Sequence, residues 1–323
     1  MAGSINHIRN VAIVGAGGNS GQFMTEELLK TGKHTVTALT RPESKTQLPE
    51  GVTAKHIDYD HPKTIVDALR GQDALVITLS AFAPHRAEEK LIRAAAEAEV
   101  SWILPNEWSP DSANEALVKD VFVFQSKVAT RKLITELGKS SFISVSTGFW
   151  YEWSLAIGAA FGIDFQKRQV TFFDDGNTRI SISTWAQVGR CVAGLLSLPV
   201  ESEGSGKASL KNYANQVVYT NSFTVSQKEM FDSVLRVTGT QQSDWTIESE
   251  LSEKRYKDGV EQMKSGDRMG FAKMMYTRVF FKDGAGDIET SRGTVNAALS
   301  LPKESLDEAT KRAEERSKID PWG

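Results

Sequence analysis

The chain has a single cysteine, Cys191, among 323 residues. One thiol excludes a disulfide scaffold and any zinc site built on cysteines, and it fits a reducing compartment. An excess of one charge is also missing: 38 Lys and Arg stand against 41 Asp and Glu, a formal net charge of −3. No global field draws such a chain to nucleic acid or to an anionic membrane, so neither is expected as a partner. The most lipid-like stretch, Phe142 to Ile163, is interrupted by Glu152 and several hydroxyls and reads as buried rather than membrane-spanning. Its first ten residues lack the layout of a signal peptide. Internal repeats and low-complexity tracts are absent as well. These absences lead to the expectation of a cytoplasmic globular protein, with monomer and homodimer both open. At roughly 150 residues per domain, the length implies one large domain or two modest ones.

What is present is alternation. Short apolar strands are expected at Val11–Gly15, His34–Thr40, Val52–Ile57, Ala74–Leu79, Trp102–Leu104 and Phe142–Val145. Helical patterns separate them, ending near Thr31 and Leu69, then covering about Arg86 to Ala98 and Val121 to Leu137. Pro62 sits near the first turn of its helix, where a missing N–H costs nothing. The fold expected is α/β, a Rossmann-type doubly wound parallel sheet with helices on both faces. Beyond Thr147 the alternation weakens, which places a dinucleotide-type domain at 1–148 and a smaller substrate-binding cap at 149–323. Later strands, such as Gln216–Thr220, remain free to return to the main sheet. Val170–Phe173 and Thr178–Ser183 flank Asp174-Asp-Gly-Asn177, which reads as a hairpin turn.

Directly after the first strand stands Gly15-Ala-Gly-Gly-Asn-Ser-Gly21, spaced G-x-x-G-x-x-G. In a strand–loop–helix setting, Gly15 makes the tight turn, and Gly18 lets backbone N–H groups approach a pyrophosphate. Gly21 then packs helix on strand, and the anion rests on the helix N-terminus formed with Gly17, Asn19 and Ser20. The second strand ends in Leu39-Thr-Arg-Pro-Glu-Ser-Lys45, with no acidic residue at its tip to bond a ribose 2′-OH. Arg41 instead offers a guanidinium to a 2′-phosphate, Lys45 adds a second cation, and Glu43 after Pro42 is expected to face solvent. NADP(H) is therefore the cofactor expected. Asp58, Ser80 and Ala81 are candidate contacts by position, at the carboxyl ends of strands.

The usual Tyr-x-x-x-Lys pair of short-chain dehydrogenases occurs only as Tyr59-Asp-His-Pro-Lys63, too early in the chain and broken by proline. Metal-binding His-Glu-x-x-His, a nucleophile elbow and a P-loop are absent, and the five histidines form no ligand cluster. No metal is expected. Lys127 remains: with Thr130, Ile134 and Leu137 it shares one helix face. A partly buried lysine with a lowered pKa moves protons well, although a snorkelling lysine fits the same pattern.

Several motifs together resemble the NmrA-like and isoflavone-reductase-like family of atypical short-chain dehydrogenases, fungal members above all. They are Val11 to Gly21, Arg41, Asp58-Tyr59, Leu69-Arg-Gly-Gln-Asp73, Phe124-Gln-Ser-Lys127, Thr147-Gly-Phe149, Asp174-Asp-Gly-Asn177 and Gln187-Val-Gly189. The resemblance implies that Lys127 is the general acid/base and that Phe149 lies near the nicotinamide. Two departures stand out. Plant members read Pro-Ser-Glu-Phe-Gly where this chain has Pro105-Asn-Glu-Trp-Ser109, and many members carry Asp where it has Gln187.

Phe149-Trp-Tyr-Glu-Trp153, with Trp108 after the fifth strand, offers an aromatic wall suited to a flat phenolic or polyketide-like substrate. Ordinary core packing fits the same run equally well. Tyr151 and Glu152 are both placed to assist proton transfer, and nothing in the sequence selects between them. The expectation is an NADPH-dependent reductase of a small aromatic metabolite. The alternative is a redox-sensing regulator that binds NADP(H) without turnover and acts through a protein partner.

Overall fold

A computed structural model describes residues 6–80, 83–202, 204 and 206–319 of the chain. In its first half strands and helices alternate: β1 (Asn10–Val14), α1 (Gly21–Lys30), β2 (Thr35–Thr40), β3 (Thr53–His56), α2 (Pro62–Leu69), β4 (Ala74–Ile77) and α3 (Ala87–Glu97). Then come β5 (Trp102–Leu104), α4 (Glu115–Asp120), α5 (Val123–Leu137) and β6 (Ser141–Ser146). The second half holds β7 (Phe149–Trp150), α6 (Tyr151–Leu155), α7 (Gly158–Phe161), β8 (Ile163–Asp164), β9 (Gln169–Phe173), β10 (Arg179–Ser183) and α8 (Trp185–Leu196). It continues with β11 (Gln216–Tyr219), β12 (Phe223–Ser226), α9 (Gln227–Thr238), β13 (Thr246–Glu250), α10 (Ser252–Lys264), α11 (Arg268–Arg278), α12 (Ile288–Arg292) and α13 (Leu306–Arg316).

The main sheet has seven strands in the order β11-β6-β5-β4-β1-β2-β3, every pair parallel. The period-2 rule explains its two buried faces. Val11 and Ile13 point into the core shared with Met24 and Leu28 of α1 and Val188 and Val192 of α8. Ala12 and Val14 point the other way, toward Ile65 of α2, Leu91 of α3 and Ile134 of α5. β11 lies beside β6, and α8 packs on α1 so closely that a Cβ at Gly189 would stand 2.6 Å from Phe23 O. Chain from beyond residue 148 thus completes the main sheet and covers one of its faces. The remaining segments form a separate aromatic-rich core with Phe161, Phe173, Phe231 and Phe280.

The hairpin expected at Asp174–Asn177 does not form. The turn is there, Gly176 N–H donating to Phe173 O at 3.0 Å, but the flanking strands belong to different sheets: β9 pairs with β13 and β8, and β10 with β12 and β7. Asp174 is in the left-handed region at φ 54, and its carboxylate accepts from the N–H and hydroxyl of Ser252 at 3.0 and 2.7 Å. Those bonds tie the turn to the start of α10 and send β10 away from β9.

Candidate active site

In the main sheet the chain runs outward from β1 to β2 and β3, then crosses back to β4. The carboxyl ends of β1 and β4 therefore flank the switch point, where open α/β sheets bind ligands. The glycine loop sits there for steric reasons. Gly15 has φ +81, and a Cβ on it would lie 2.1 Å from Thr78 O. A Cβ at Gly21 would lie 2.0 Å from Gly15 O. At Gly18 the nearest atom would be Gly15 O at 3.3 Å, so that residue borders open space. Ser20 precedes α1 without a side-chain bond to the helix, and Asn19 beside it is exposed. Gly17 is covered by the following loop, since a Cβ there would meet Gln47 O at 2.4 Å.

The resulting cleft of about 230 Å³ is lined by Gly15 to Gly18, by Arg41, Ser44 and Thr46 on one side, and by Tyr59, Thr78 and Ser80 on the other. Lys45, between Ser44 and Thr46, is exposed. Glu43 faces solvent as expected, and its carboxylate also holds the Arg41 guanidinium at 3.3 Å. Asp58 serves its own turn, accepting from Asp60 N–H at 2.8 Å and pairing with His61 Nδ1 at 2.7 Å, and these bonds hold its pKa below the usual carboxylate range. Ala81 lies outside the described residues. Sequence reasoning passed over Tyr59 and Thr78. Tyr59 is not the partner of Lys63, which pairs with Asp67. Burial raises its phenol pKa while Arg41 pulls the other way. Thr78 donates to Val14 O at 2.9 Å and welds β4 to the glycine turn. A hydroxyl at the end of a buried strand beside a glycine loop was the available signal.

Lys127 projects from α5 to the loop after β5. Its ammonium donates to Asn106 O at 2.7 Å and Glu107 O at 2.6 Å. Desolvation lowers its pKa, opposed by the Glu107 and Glu88 carboxylates and reinforced by Arg131. Around it the loop is pinned at several points. Glu107, 1% exposed, pairs with Arg131 at 2.7 Å and takes a hydrogen bond from Ser112. Glu88 accepts from Asn106 N–H at 2.8 Å, and burial raises its pKa. Arg131 is four residues after Lys127, on the same helix face, which is the signal that would have found it.

The aromatic run does not make one wall. Phe149 is buried and stacks on Tyr276 at 4.1 Å between centroids. Trp150 packs against the main-sheet core. Tyr151 is fully buried, hydrogen-bonded to Thr310 at 2.7 Å with its pKa raised by desolvation, so it reaches no substrate. Glu152 is buried against Arg312 at 3.3 Å, its pKa also raised by burial. Trp153 meets Trp185 edge-on, with the Arg316 guanidinium 4.3 Å above its ring. Trp108 donates its indole N–H to Ile77 O at 2.7 Å, at the end of β4. The physical reason is the switch from β7 to α6 within the run, which sends successive side chains in different directions.

Sheet order and cleft define an α/β protein of the doubly wound class. Residues 8–157 match the model of the NmrA-like family. An oxidoreductase of Aspergillus flavus, aprR, is 26% identical over 302 residues, 92% of this chain and 96% of that protein. The structure of pinoresinol-lariciresinol and phenylcoumaran benzylic ether reductases superposes with a TM-score of 0.74 at 18% identity, covering 95% of this chain and 99% of theirs. The NADPH-dependent quinone oxidoreductase QOR2 of Escherichia coli gives 0.68 at 20% identity, covering 93% and 98%. Among the described residues no helix is long and apolar enough to cross a membrane, and no group of three or more His, Cys, Asp or Glu is placed to hold a metal ion.

Proposed function

We propose that this protein is an NADPH-dependent reductase of a small aromatic metabolite, with Lys127 as its general acid/base. The observation that carries the reading is the pair of carbonyls on the Lys127 ammonium. With two N–H directions taken, the third carries a proton in the acid form and a lone pair in the base form. Lys127 thereby becomes a directional proton carrier instead of a freely rotating surface cation. A redox sensor without turnover has no need of this arrangement.

The cleft residues fit NADP(H). Gly15, Gly18 and Gly21, with Gly17, Asn19 and Ser20, would hold the pyrophosphate over the start of α1. Arg41 would take the 2′-phosphate, with Ser44 and Thr46 beside it and Lys45 adding positive potential. Asp58 and Ala81 keep positional roles at strand ends, and Ser80 and Tyr59 border the cleft. The nicotinamide, when bound, supplies a hydride. Lys127 supplies or removes the accompanying proton at Nζ, and Glu88 and Glu107 moderate its charge. On the substrate side the partial exposure of Trp150 and Trp153 leaves them as candidate contacts; Phe149 and Trp108 would act as backing for the pocket. The names of the similar proteins support this reading: an oxidoreductase, an NADPH-dependent quinone oxidoreductase and benzylic ether reductases.

The test is NADPH oxidation with a benzoquinone acceptor, run with wild type and Lys127→Ala. Loss of a proton carrier costs on the order of 10²–10⁴ in turnover with cofactor affinity little changed. Undiminished turnover in Lys127→Ala overturns the acid/base role, and absence of NADPH binding overturns the reading as a whole.

A further inference from the structure

Resting on that reading, we propose that Asn106 is a positioning residue, locking the peptides that orient Lys127 to the wall of the cofactor cleft. Its side chain makes a two-way bond with one residue: Leu79 N–H donates to Asn106 Oδ1 at 3.2 Å, and Asn106 Nδ2 donates to Leu79 O at 3.2 Å. Leu79 stands in the cleft lining between Thr78 and Ser80. The reason for this bond lies in where the ladder stops. β5 pairs with β4 as far as Leu104 opposite Val76, and the next main-chain donor on that edge, Asn106 N–H, turns away to Glu88. The Asn106 side-chain amide takes the Leu79 peptide instead and carries the β4–β5 connection past the end of the sheet.

The same residue is fixed from the other side. Its backbone N–H donates to Glu88 at 2.8 Å, and its carbonyl is one of the two that hold Lys127. Asn106 therefore touches the cleft wall with its side chain and the ammonium with its main chain. A serine, which plant relatives carry here, is shorter and offers a single hydroxyl oxygen in place of the separate Oδ1 acceptor and Nδ2 donor that hold Leu79. Trp108 strengthens the same seam through its bond to Ile77 O. Two of the three differences from the plant motif, at Asn106 and Trp108, thus add ties between the lysine loop and the end of β4.

The charged groups around the ammonium are Glu88 on α3, Glu107 on the loop and Arg131 on α5. None is altered by changing Asn106, so a change in Lys127 titration reports the position of the loop. Competitive acetylation of the full chain with acetic anhydride across the alkaline range, read by mass spectrometry at the Lys127 peptide, measures that titration without any substrate. In Asn106→Ser the loop loosens, water reaches the amine, and its midpoint is expected to rise by about one pH unit toward that of a free lysine. Turnover of NADPH with benzoquinone is expected to fall about tenfold while KM for NADPH moves less than about threefold. Asn106→Thr carries the same expectation, favours the extended backbone, and serves if the serine variant does not fold. A Lys127 titration superimposable on wild type in a folded variant overturns the proposal. Full turnover in Lys127→Ala would instead overturn the acid/base reading, while the acetylation profile would still decide the role of Asn106.

Discussion

Glu43 holds the guanidinium of Arg41 at 3.3 Å at the tip of β2, both side chains more than half exposed. Arg41 is the cation that the proposed 2′-phosphate would meet, so the carboxylate competes with that ligand for it. An exposed pair of this kind contributes about 0.2–1 kcal/mol, a factor of roughly 1.4 to 5 in affinity. Glu43→Gln should therefore tighten NADPH binding severalfold at most and leave NADH unchanged, in a titration followed by tryptophan fluorescence. Arg41→Ala should weaken NADPH by about tenfold or more, losing a charge-assisted bidentate contact, with NADH again unaffected. Equal effects on both cofactors would remove the phosphate-reading role from Arg41.

Two glycines of the loop, Gly21 and Gly18, should differ in their effects. A Cβ at Gly21 would stand 2.0 Å from the backbone oxygen of Gly15, which cannot yield without moving β1 or α1. Gly21→Ala is expected to destabilise the fold by about 2 kcal/mol or more, seen as a lower midpoint in urea. Gly18→Ala meets only Gly15 O at 3.3 Å and should fold nearly as wild type, while the added methyl narrows the phosphate approach and weakens NADPH. Equal loss of stability in the two variants would contradict the geometry.

This contrast shows how far the chain was legible. Strand periodicity, glycine spacing and the β1–α1–β2 order are local signals, and they located the main sheet and put the glycine turn at the end of β1. The partners of a side chain are nonlocal. Phe149 finds Tyr276 and Tyr151 finds Thr310, contacts that no pattern within Phe149–Trp153 announces. Likewise β9 and β10 have clear strand character, but their pairing depends on β13 and β12, far along the chain. The loop around Lys127 lies between these cases. Its lysine was legible from the helix face and the family resemblance, while Asn106 and Glu88 act through contacts that only the fold assembles.

Arg131 and Glu107 form a nearly dry pair, with 12% and 1% side-chain exposure at 2.7 Å. Removing one partner of such a pair leaves a buried charge uncompensated. Arg131→Met should cost about 3–5 kcal/mol, measured by urea unfolding. Glu107→Gln leaves the Arg131 charge without its counter-ion but keeps an acceptor for it and the Arg131 bond to Ser112 O at 3.0 Å, so its cost should be smaller. A neutral Arg131→Met would show that the pair contributes nothing to stability.

Glu152 presents the opposite situation. It is buried, only Oε1 is engaged by Arg312, at 3.3 Å, and Oε2 has no hydrogen-bond partner. Desolvation raises its pKa, with Arg312 only partly offsetting it. A carboxyl whose folded pKa lies above its unfolded value binds more protons in the folded state between the two values, so stability falls as pH rises through that window. Below the ordinary carboxyl range the group is protonated in both states and the penalty vanishes. Glu152→Gln should therefore raise the unfolding midpoint at neutral pH and leave it unchanged at acid pH, read by comparing the two conditions. The Arg312 left behind is about half exposed and remains solvated. A loss of stability at neutral pH would mean that the Arg312 bond outweighs burial, with the Glu152 pKa depressed rather than raised.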